Sequence, residues 1–443
     1  MFVKNISLKK FKCFEDIDLE FKKITLLTGQ NSSGKSSLLY GLLAPFQSLD
    51  FPFYLSPNGK YVNLGDFNEM VFRNLKDEII SINFEIFDDS KELFTYKTNW
   101  ILESKTKMPK LKNCILERTS MKVIIECNKT HDYDVEIHFD MNSTPKETLE
   151  KIDQFAKLVM SQIKSVDDDK ESSDISIIIP EPITKFTVND LDYISYKLRK
   201  NQYFYLWFLY LDFVRNINAI NDRINFISSF RLQPERTYFQ KTKSEDKVGV
   251  FGENYIDQIY NWKNRNPRKF SNLKKILKNL DLIDNMMFKK LGGGRVELKL
   301  QVNKSGIWAS LPDVGFGVSQ FLPIIVADLQ LPKKSILLIA QPEIHLHPSI
   351  QADLADYFIS QTINNGKHYI IESHSEYLLN RFRLGIVNGV LKPEDIAVYY
   401  FENSESGTKK HEILLTSDGQ IKNAPKEFFD TYMVDVMDIA LNS

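Results

Sequence analysis

Residues 29–36 are the part of this chain whose chemistry is easiest to specify. Their sequence, GQNSSGKS, matches the pattern GxxxxGK[ST] between an apolar strand and an amphipathic helix, and in such loops glycines let backbone N–H groups surround phosphate oxygens. Lys35 is expected to reach the β and γ phosphates of ATP, and Ser36 to bind Mg²⁺ as the metal ligand. The predicted cofactor-binding residues are Gly29, Gln30, Asn31, Ser32, Ser33, Gly34, Lys35, Ser36 and Ser37.

Two apolar segments end in polar residues suited to catalysis. The segment LLIAQPEIHLHP presents Gln341 and Glu343, and the segment YIIESHSE presents Glu372, Ser373 and His374. Because parallel strands deliver their C-terminal residues to one edge of a sheet, these side chains are expected near the bound nucleotide. The predicted catalytic residues are Gln341, Glu343 and His374, with His374 sensing the γ-phosphate or orienting water.

A third segment, DVGFGVSQ at residues 313–320, precedes a helix predicted to start near Ser319. A glycine-containing string of this kind is by itself typical of a helix-entry turn. Its place just before the first of the two apolar segments favours a functional interpretation. Its candidate nucleotide contacts are Gly315, Gly317, Ser319 and Gln320.

Histidines near these segments raise a competing interpretation, a protein metal site. His345 and His347 flank a single leucine on a predicted turn, and neither cysteine neighbours nor an HExxH pattern accompany them. Structural and catalytic zinc sites normally show such spacing. The sequence therefore favours nucleotide chemistry over a histidine-held metal.

Composition places the chain among ordinary globular proteins. It has 443 residues, a net charge of -1 and 43% hydrophobic residues, which excludes collagen-like, disordered and strongly basic classes. Three cysteines without a CxxC pair and the lack of an apolar leader indicate a reducing, cytoplasmic location. The most apolar stretch, Tyr203 to Phe213, is too short for a bilayer, so no membrane partner is expected and the stretch is interpreted as core or partner surface.

The order of predicted elements suggests three parts. Strands over residues 2–27 lead into the glycine-rich loop, and an antiparallel section follows between residues 50 and 138. Capping-box spacing at Thr144 predicts a helix with an apolar face that continues past Phe155; the acidic connector 167–174 and a helical stretch over 190–220 follow it. The segments SILLIA and HYIIES, with a helix over 348–363 between them, then predict a parallel βαβ unit. We predict an N-terminal part over 1–135, an inserted helical lid over 136–222 and a C-terminal part over 223–443.

In this order the segments resemble the motifs of ABC-type ATPase heads in the RecF, OLD and SMC group, most closely the AAA-15-type ATPases. The start SLKKFKCFEDIDLEFKKITLLTGQNSSGKSSLL resembles that family's opening strands and P-loop. DVGFGVSQFLPIIV, QPEIHLHPSIQADLADYFI and IIESHSEYLLNRFR resemble its signature, Walker B and switch-histidine blocks, and FFD near Phe428 its C-terminal end. The resemblance covers most of the chain. It implies an α/β fold: a P-loop NTPase of the ABC-ATPase head type with an antiparallel β section and an inserted helical lid.

The resemblance also implies partners. Two heads would form a homodimer, or part of a higher homo-oligomer, by enclosing ATP between Lys35 of one subunit and Gly317, Ser319 and Gln320 of the other. The chain after Leu384 is too short for the Toprim nuclease domain of OLD-type proteins. The implied function is therefore that of an ATPase subunit controlling an effector, a toxin or nuclease, as in bacterial anti-phage systems such as PARIS.

One position departs from the family pattern. Where the family has EEPE or EQPE, this chain has Ala340-Gln341-Pro342-Glu343. Ala340 removes a carboxylate expected at the Mg²⁺ shell, and the Gln341 amide does not accept a proton efficiently. Slow or absent hydrolysis is expected, either because an acid was exchanged for alanine to trap the ATP state or because the protein is a naturally slow switch. Glu343 remains a candidate base.

The competing function is that of a RecF- or SMC-like DNA-repair ATPase. Its support is the stretch Lys263 to Lys278, which carries many cations and no acid, with Trp262 just before it and Phe270 within it. Basic residues interleaved with aromatics are typical of nucleic-acid contacts, although a solvated helix face explains most charge runs. Arg231 and Arg236 are placed by their strand-end position to touch the nucleotide or its sensing loop, or to form packing pairs.

Overall fold

The computed structural model describes residues 1–75, 78–154, 181–201, 203–241, 245–405, 407–425 and 428. Its chain forms two compact units. One comprises Met1–Leu19 and Gly41–Asp222, and the other comprises Glu20–Tyr40 and Arg223–Ser443. Each unit has its own main sheet.

Elements are numbered in chain order over the described residues. The strands are β1 (Phe2–Phe11), β2 (Phe14–Glu20), β3 (Ile24–Gly29), β4 (Ile80–Phe87), β5 (Leu93–Leu102), β6 (Pro109–Arg118), β7 (Met121–Cys127), β8 (Tyr133–Phe139), β9 (Ile183–Val188), β10 (Ile224–Ile227), β11 (Tyr238–Phe239), β12 (Asn285–Leu291), β13 (Arg295–Gln301), β14 (Ala309–Ser310), β15 (Ile336–Ala340), β16 (His368–Glu372), β17 (Ile396–Ser404), β18 (Gly407–Leu415) and β19 (Ile421–Lys422). The helices with defined bounds are α1 (Lys35–Gln47), α2 (Phe67–Met70), α3 (Tyr193–Lys200), α4 (Phe204–Arg223), α5 (Tyr255–Arg265), α6 (Pro267–Asn279), α7 (Phe316–Gln330), α8 (Pro348–Asn365) and α9 (Glu376–Val387).

The first unit is built on an eight-stranded sheet in the order β2-β1-β4-β5-β6-β7-β8-β9. From β4 to β9 each strand pairs antiparallel with the next. Along β4, buried and partly exposed residues alternate, so that its apolar residues face the core on one side of the sheet. This alternation is typical of antiparallel strands with one covered face. The antiparallel section predicted between residues 50 and 138 is confirmed.

The first unit also contains helices that come after β8 in the chain. Residues 146–154 are helical, as the capping-box spacing at Thr144 predicts, while the continuation past Phe155 and the acidic connector lie outside the described residues. The helical stretch predicted over 190–220 is two helices, α3 and α4, rather than one. The aromatic run in α4 is mostly buried, with Phe204, Tyr210 and Phe213 each at most 3% exposed, and so belongs to the core.

The second unit is built on a seven-stranded sheet in the order β10-β15-β16-β3-β17-β18-β19. The pairs from β10 to β17 are parallel, and every residue of β15 is buried, as expected for a parallel strand covered on both faces. The strands β15 and β16 are joined by α8, which confirms the predicted βαβ unit. This order places β16 between β15 and β3.

A smaller sheet, β11-β13-β12 with β14 beside β13, completes the second unit. The hairpin of β12 and β13 turns through Gly293 and Gly294, both in the left-handed region with φ of 70° and 71°. Among the described residues, no helix is long and apolar enough to cross a bilayer.

Candidate functional site

The glycine-rich loop joins β3 to α1, where the helical hydrogen bonds begin with the Leu38 N–H donating to the Gly34 carbonyl at 2.9 Å. Gly29 has φ of 131°, and a Cβ there would lie 2.1 Å from the carbonyl oxygen of Phe401 in β17. Gly34 has φ of 93°. Both positions therefore require glycine, because a side chain would clash or strain the backbone.

Lys35 is held over this loop. Its Nζ donates hydrogen bonds to the carbonyl oxygens of Gly29 and Gln30, at 3.1 and 2.7 Å, and the residue is only 4% exposed. Burial lowers the pKa of Lys35, and the nearby carboxylate of Glu372 opposes that shift. The ammonium is thus already at the loop, where phosphate oxygens could replace the two carbonyls.

Strands β17 and β18 brace the loop through contacts that sequence reasoning missed. The Asn403 backbone N–H donates to Oε1 of Gln30 at 3.0 Å, and its side-chain amide donates to the Asn31 carbonyl at 3.1 Å. Thr408 donates through its hydroxyl to the Ser33 carbonyl at 2.9 Å. No local motif marks these residues, because the sheet brings them to the loop from more than 370 positions along the chain.

The Ser36 hydroxyl donates to the carboxylate of Glu372. The distance from its Oγ is 2.9 Å to Oε2 and 3.2 Å to Oε1. Glu372 ends β16 and is 7% exposed; burial raises its pKa, while the bond from Ser36 and the charge of Lys35 oppose that shift. The sequence placed Glu372 at this edge of the sheet, and the structure brings it into contact with the predicted metal ligand.

The turn after β15 is fixed by its backbone. Gln341 lies in the left-handed region with φ of 46°, and its N–H donates to the Glu372 carbonyl at 2.7 Å. Arg231 donates from one guanidinium nitrogen to the carbonyl oxygens of Ala340 and Gln341. Burial lowers the pKa of Arg231 to about 10, opposed by the charge of Glu343. Arg231 therefore bonds to the backbone of this turn.

Glu343 and His374 lie together beside that turn. The His374 backbone N–H donates to Oε1 of Glu343 at 2.8 Å, and within the described residues the buried Oε2 has no hydrogen-bond partner. Burial raises the pKa of the Glu343 carboxyl. The pKa of His374 is lowered by partial desolvation and by the charge of Lys35. Arg236, in contrast, forms an exposed ion pair with Asp313 at 2.7 Å.

The segment before β15 enters a helix earlier than predicted. Helix α7 begins at Phe316, so the predicted start near Ser319 is wrong. The serine alone was a poor guide, because the first helical residue is set by the backbone conformation. Ser319 and Gln320 are 2% and 4% exposed, whereas Gly315 is exposed. A Cβ on Gly317 would lie 2.8 Å from the His345 carbonyl oxygen, so this helix start packs against the turn after β15.

The residues present fit magnesium-bound nucleotide. The Ser36 hydroxyl and the Glu372 carboxylate are in contact and are oxygen ligands of the type that Mg²⁺ prefers. The Lys35 ammonium and the start of α1 favour phosphate beside them. Over the residues that the structure describes, no group of three or more His, Cys, Asp and Glu side chains could hold a metal ion by itself. The candidate site is therefore one in which nucleotide phosphates would complete the cation's ligands.

Comparison with known proteins gives a family match over most of the chain. The family described as AAA ATPase domain, AAA_15, matches residues 1–379, and a family described as protein of unknown function, DUF3696, matches residues 391–439. No curated protein sequence matches.

Solved structures of SMC heads are similar at low scores. The SMC head domain from Thermotoga maritima has a TM-score of 0.42 and 8% identity, covering 94% of this chain and 100% of that chain. An Smc head with an extended coiled coil, bound to the C-terminal domain of ScpA and derived from Pyrococcus furiosus, has a TM-score of 0.41 and 10% identity, covering 99% of both chains. These similarities are too weak to support a functional conclusion.

Proposed function

Because this chain belongs to the AAA ATPase domain family AAA_15, we propose that it binds Mg-ATP at residues 29–37 and works as an ATP-gated switch. The contact between Ser36 and Glu372, beside the buried ammonium of Lys35, is the observation that carries this proposal. It joins a P-loop hydroxyl, a carboxylate and a cation at one edge of a parallel sheet, where such sheets bind ligands.

Closure of two subunits around ATP is the proposed mechanical event. Gly315, Gly317, Ser319 and Gln320 would approach the γ-phosphate bound by the other subunit. Gly315 is exposed at the start of α7, so its backbone is the most accessible of the four. The burial of Ser319 and Gln320 in one chain means that they would act by shaping the helix start.

Hydrolysis is proposed to be slow. Gln341 follows β15 at the usual position of the catalytic base, where the family pattern has Glu or Gln, and its amide orients water without accepting the proton. Glu343 is the remaining candidate base, but Oε1 accepts the His374 N–H. His374, at the exposed edge beside Lys35, would sense the γ-phosphate.

The output of the switch is proposed to be a partner protein. By the resemblance of its motifs to anti-phage ATPase subunits, the chain would hold a toxin or nuclease in the cytoplasm and release or activate it when the ATP state changes. A protein that turns ATP over slowly and assembles on binding it suits this task, since the bound state persists as a signal.

A DNA-directed function has weaker support from the basic stretch in α5 and α6. Trp262 is 6% exposed, so it does not offer a base-stacking face. The Nζ of Lys263, Lys269 and Lys274 lies within 5.7 Å of the centroids of Phe288, Trp262 and Phe270. Lys278 pairs with Asp284 at 2.6 Å. These contacts explain much of the stretch as packing within the unit.

The test measures ATP turnover and oligomer mass on the same sample, with and without Mg-ATP, for the wild type and for Lys35→Ala. Slow turnover with an ATP-dependent rise in mass, both lost in Lys35→Ala, supports the switch. Fast turnover without assembly contradicts it. Binding to DNA that falls steeply with salt would instead favour the DNA-directed function.

A further inference from the structure

We propose that Glu372 supplies the carboxylate of the Mg²⁺ site, in place of an acid at position 340. This inference rests on the proposed nucleotide site and assigns Glu372 to it.

Sheet order is the first support. β16 lies between β15 and β3, and in the parallel register Ala340 is opposite Glu372 while Glu372 is opposite Leu27. Residues opposite each other in a parallel pair point to the same side of the sheet. The side chains of Glu372 and of residue 340 therefore point to the same side of the sheet. Glu372 lies on β16, which is one strand nearer than β15 to β3 and the P-loop.

Contact geometry is the second support. Both carboxylate oxygens of Glu372 lie within hydrogen-bonding distance of the Ser36 hydroxyl. The methyl group of Ala340 cannot coordinate a cation, and Glu343 is engaged with the His374 N–H. Ser36 and Glu372 thus form the hydroxyl and carboxylate pair that P-loop enzymes use to hold Mg²⁺.

The consequence is a division of labour between two neighbouring positions. The loss of an acid at 340 would leave Mg-ATP binding intact, because Glu372 replaces it. Position 341, which holds Gln as in the EQPE form of the family pattern, would still lack a proton acceptor, so slow hydrolysis would come from Gln341. The chain would then be a tight Mg-ATP binder with slow turnover, as a persistent switch requires.

The experiment measures how Mg²⁺ changes the affinity for a fluorescent ATP analogue, by titrations in magnesium and in EDTA. Wild type should bind more tightly with Mg²⁺. Glu372→Gln, which keeps the shape of the side chain, should lose about 10- to 100-fold of that gain. Glu376→Gln, at a nearby acid in the first turn of α9, is the matched control and should behave as wild type.

A second readout and a rescue variant complete the test. Electron paramagnetic resonance of Mn²⁺ with ATP should report bound cation in wild type and weaker binding in Glu372→Gln. The double variant Ala340→Asp with Glu372→Gln should recover most of the cation-dependent affinity. If Glu372→Gln does not fold, Glu372→Asp replaces it and should show a smaller loss.

The outcomes separate the two proposals. If wild type binds no nucleotide, the proposed function itself is wrong. If wild type binds Mg-ATP and the Glu372 variants keep the full Mg²⁺ dependence, the nucleotide site stands and the assignment of Glu372 is overturned.

Discussion

One guanidinium nitrogen of Arg231 donates to two consecutive carbonyl oxygens, that of Ala340 at 2.8 Å and that of Gln341 at 3.0 Å. Gln341 lies between them in the left-handed region, with φ of 46°, a conformation that costs a residue other than glycine about 1 kcal/mol or more. The turn after β15 is thus strained, and the Arg231 side chain anchors its backbone. This anchor helps to set the position from which the Gln341 side chain projects.

Removing the anchor should destabilise the protein. Arg231→Met deletes two charge-assisted bonds to buried carbonyls, and we expect a loss of about 2–3 kcal/mol in the free energy of unfolding. Denaturant unfolding of the two proteins measures it. Arg236→Met is the matched control, since its ion pair with Asp313 is exposed and should contribute about 1 kcal/mol or less. Equal losses in both variants would contradict the anchoring role.

Placing an acid at position 341, the proposed position of the catalytic base, should accelerate hydrolysis. Gln341→Glu supplies a carboxylate that accepts the proton of water, and a general base typically contributes about 100-fold or more to the rate. Single-turnover hydrolysis of bound ATP measures the chemical step, so a change in ATP affinity does not enter. Gln341→Asn keeps an amide and should stay slow. Unchanged turnover in Gln341→Glu would show that another group limits the reaction.

Local sequence patterns predicted the elements of this fold well, because period-two burial in β4 and the continuously apolar β15 leave few alternatives. They also predicted the residues at the sheet edge, since the motifs end their strands. They did not predict the order of the strands, which rests on long-range packing. That order decides that Glu372, rather than Ala340, reaches Ser36.

Helix boundaries and backbone anchors were predicted less well, for a related reason. Helix α7 starts at Phe316, and there Gly317 packs against the His345 carbonyl, more than 25 residues away. Arg231 was expected to touch the nucleotide or its sensing loop, or to form a packing pair, but only the folded chain shows that it bonds to backbone. Such contacts leave no periodic pattern in the sequence.

Two neighbouring glycines at the start of α7 should respond differently to alanine. A Cβ on Gly317 would meet the His345 carbonyl oxygen at 2.8 Å, whereas a Cβ on Gly315 has nothing within 4 Å. We expect Gly317→Ala to cost about 1–3 kcal/mol of stability through this clash, reduced by the better helix propensity of alanine.

Gly315→Ala is the matched control, because Gly315 has a negative φ of -42° that alanine adopts. It should stay within about 0.5 kcal/mol of wild type. Thermal unfolding compares the two variants, and oligomer mass with ATP shows whether the distorted helix start also weakens assembly. Equal stability of the two variants would mean that the turn after β15 yields without cost.

Acid should destabilise the protein through His368. Burial lowers the pKa of His368, the first residue of β16, to about 4 from an ordinary value of 6.5. The unfolded chain therefore binds a proton that the folded chain excludes between these values, so the stability contributed above pH 6.5 is lost as the pH falls through 4. The shift corresponds to at most about 3 kcal/mol.

The measurement is the free energy of unfolding of wild type and His368→Gln across pH 4 to 7. Glutamine does not titrate, so the variant should lose stability less steeply on acidification. The difference between the two curves isolates this residue from Glu343 and Glu372, whose raised pKa values act in the opposite sense, with stability lost as the pH rises. Parallel curves for wild type and His368→Gln would show that His368 is protonated without cost to the fold.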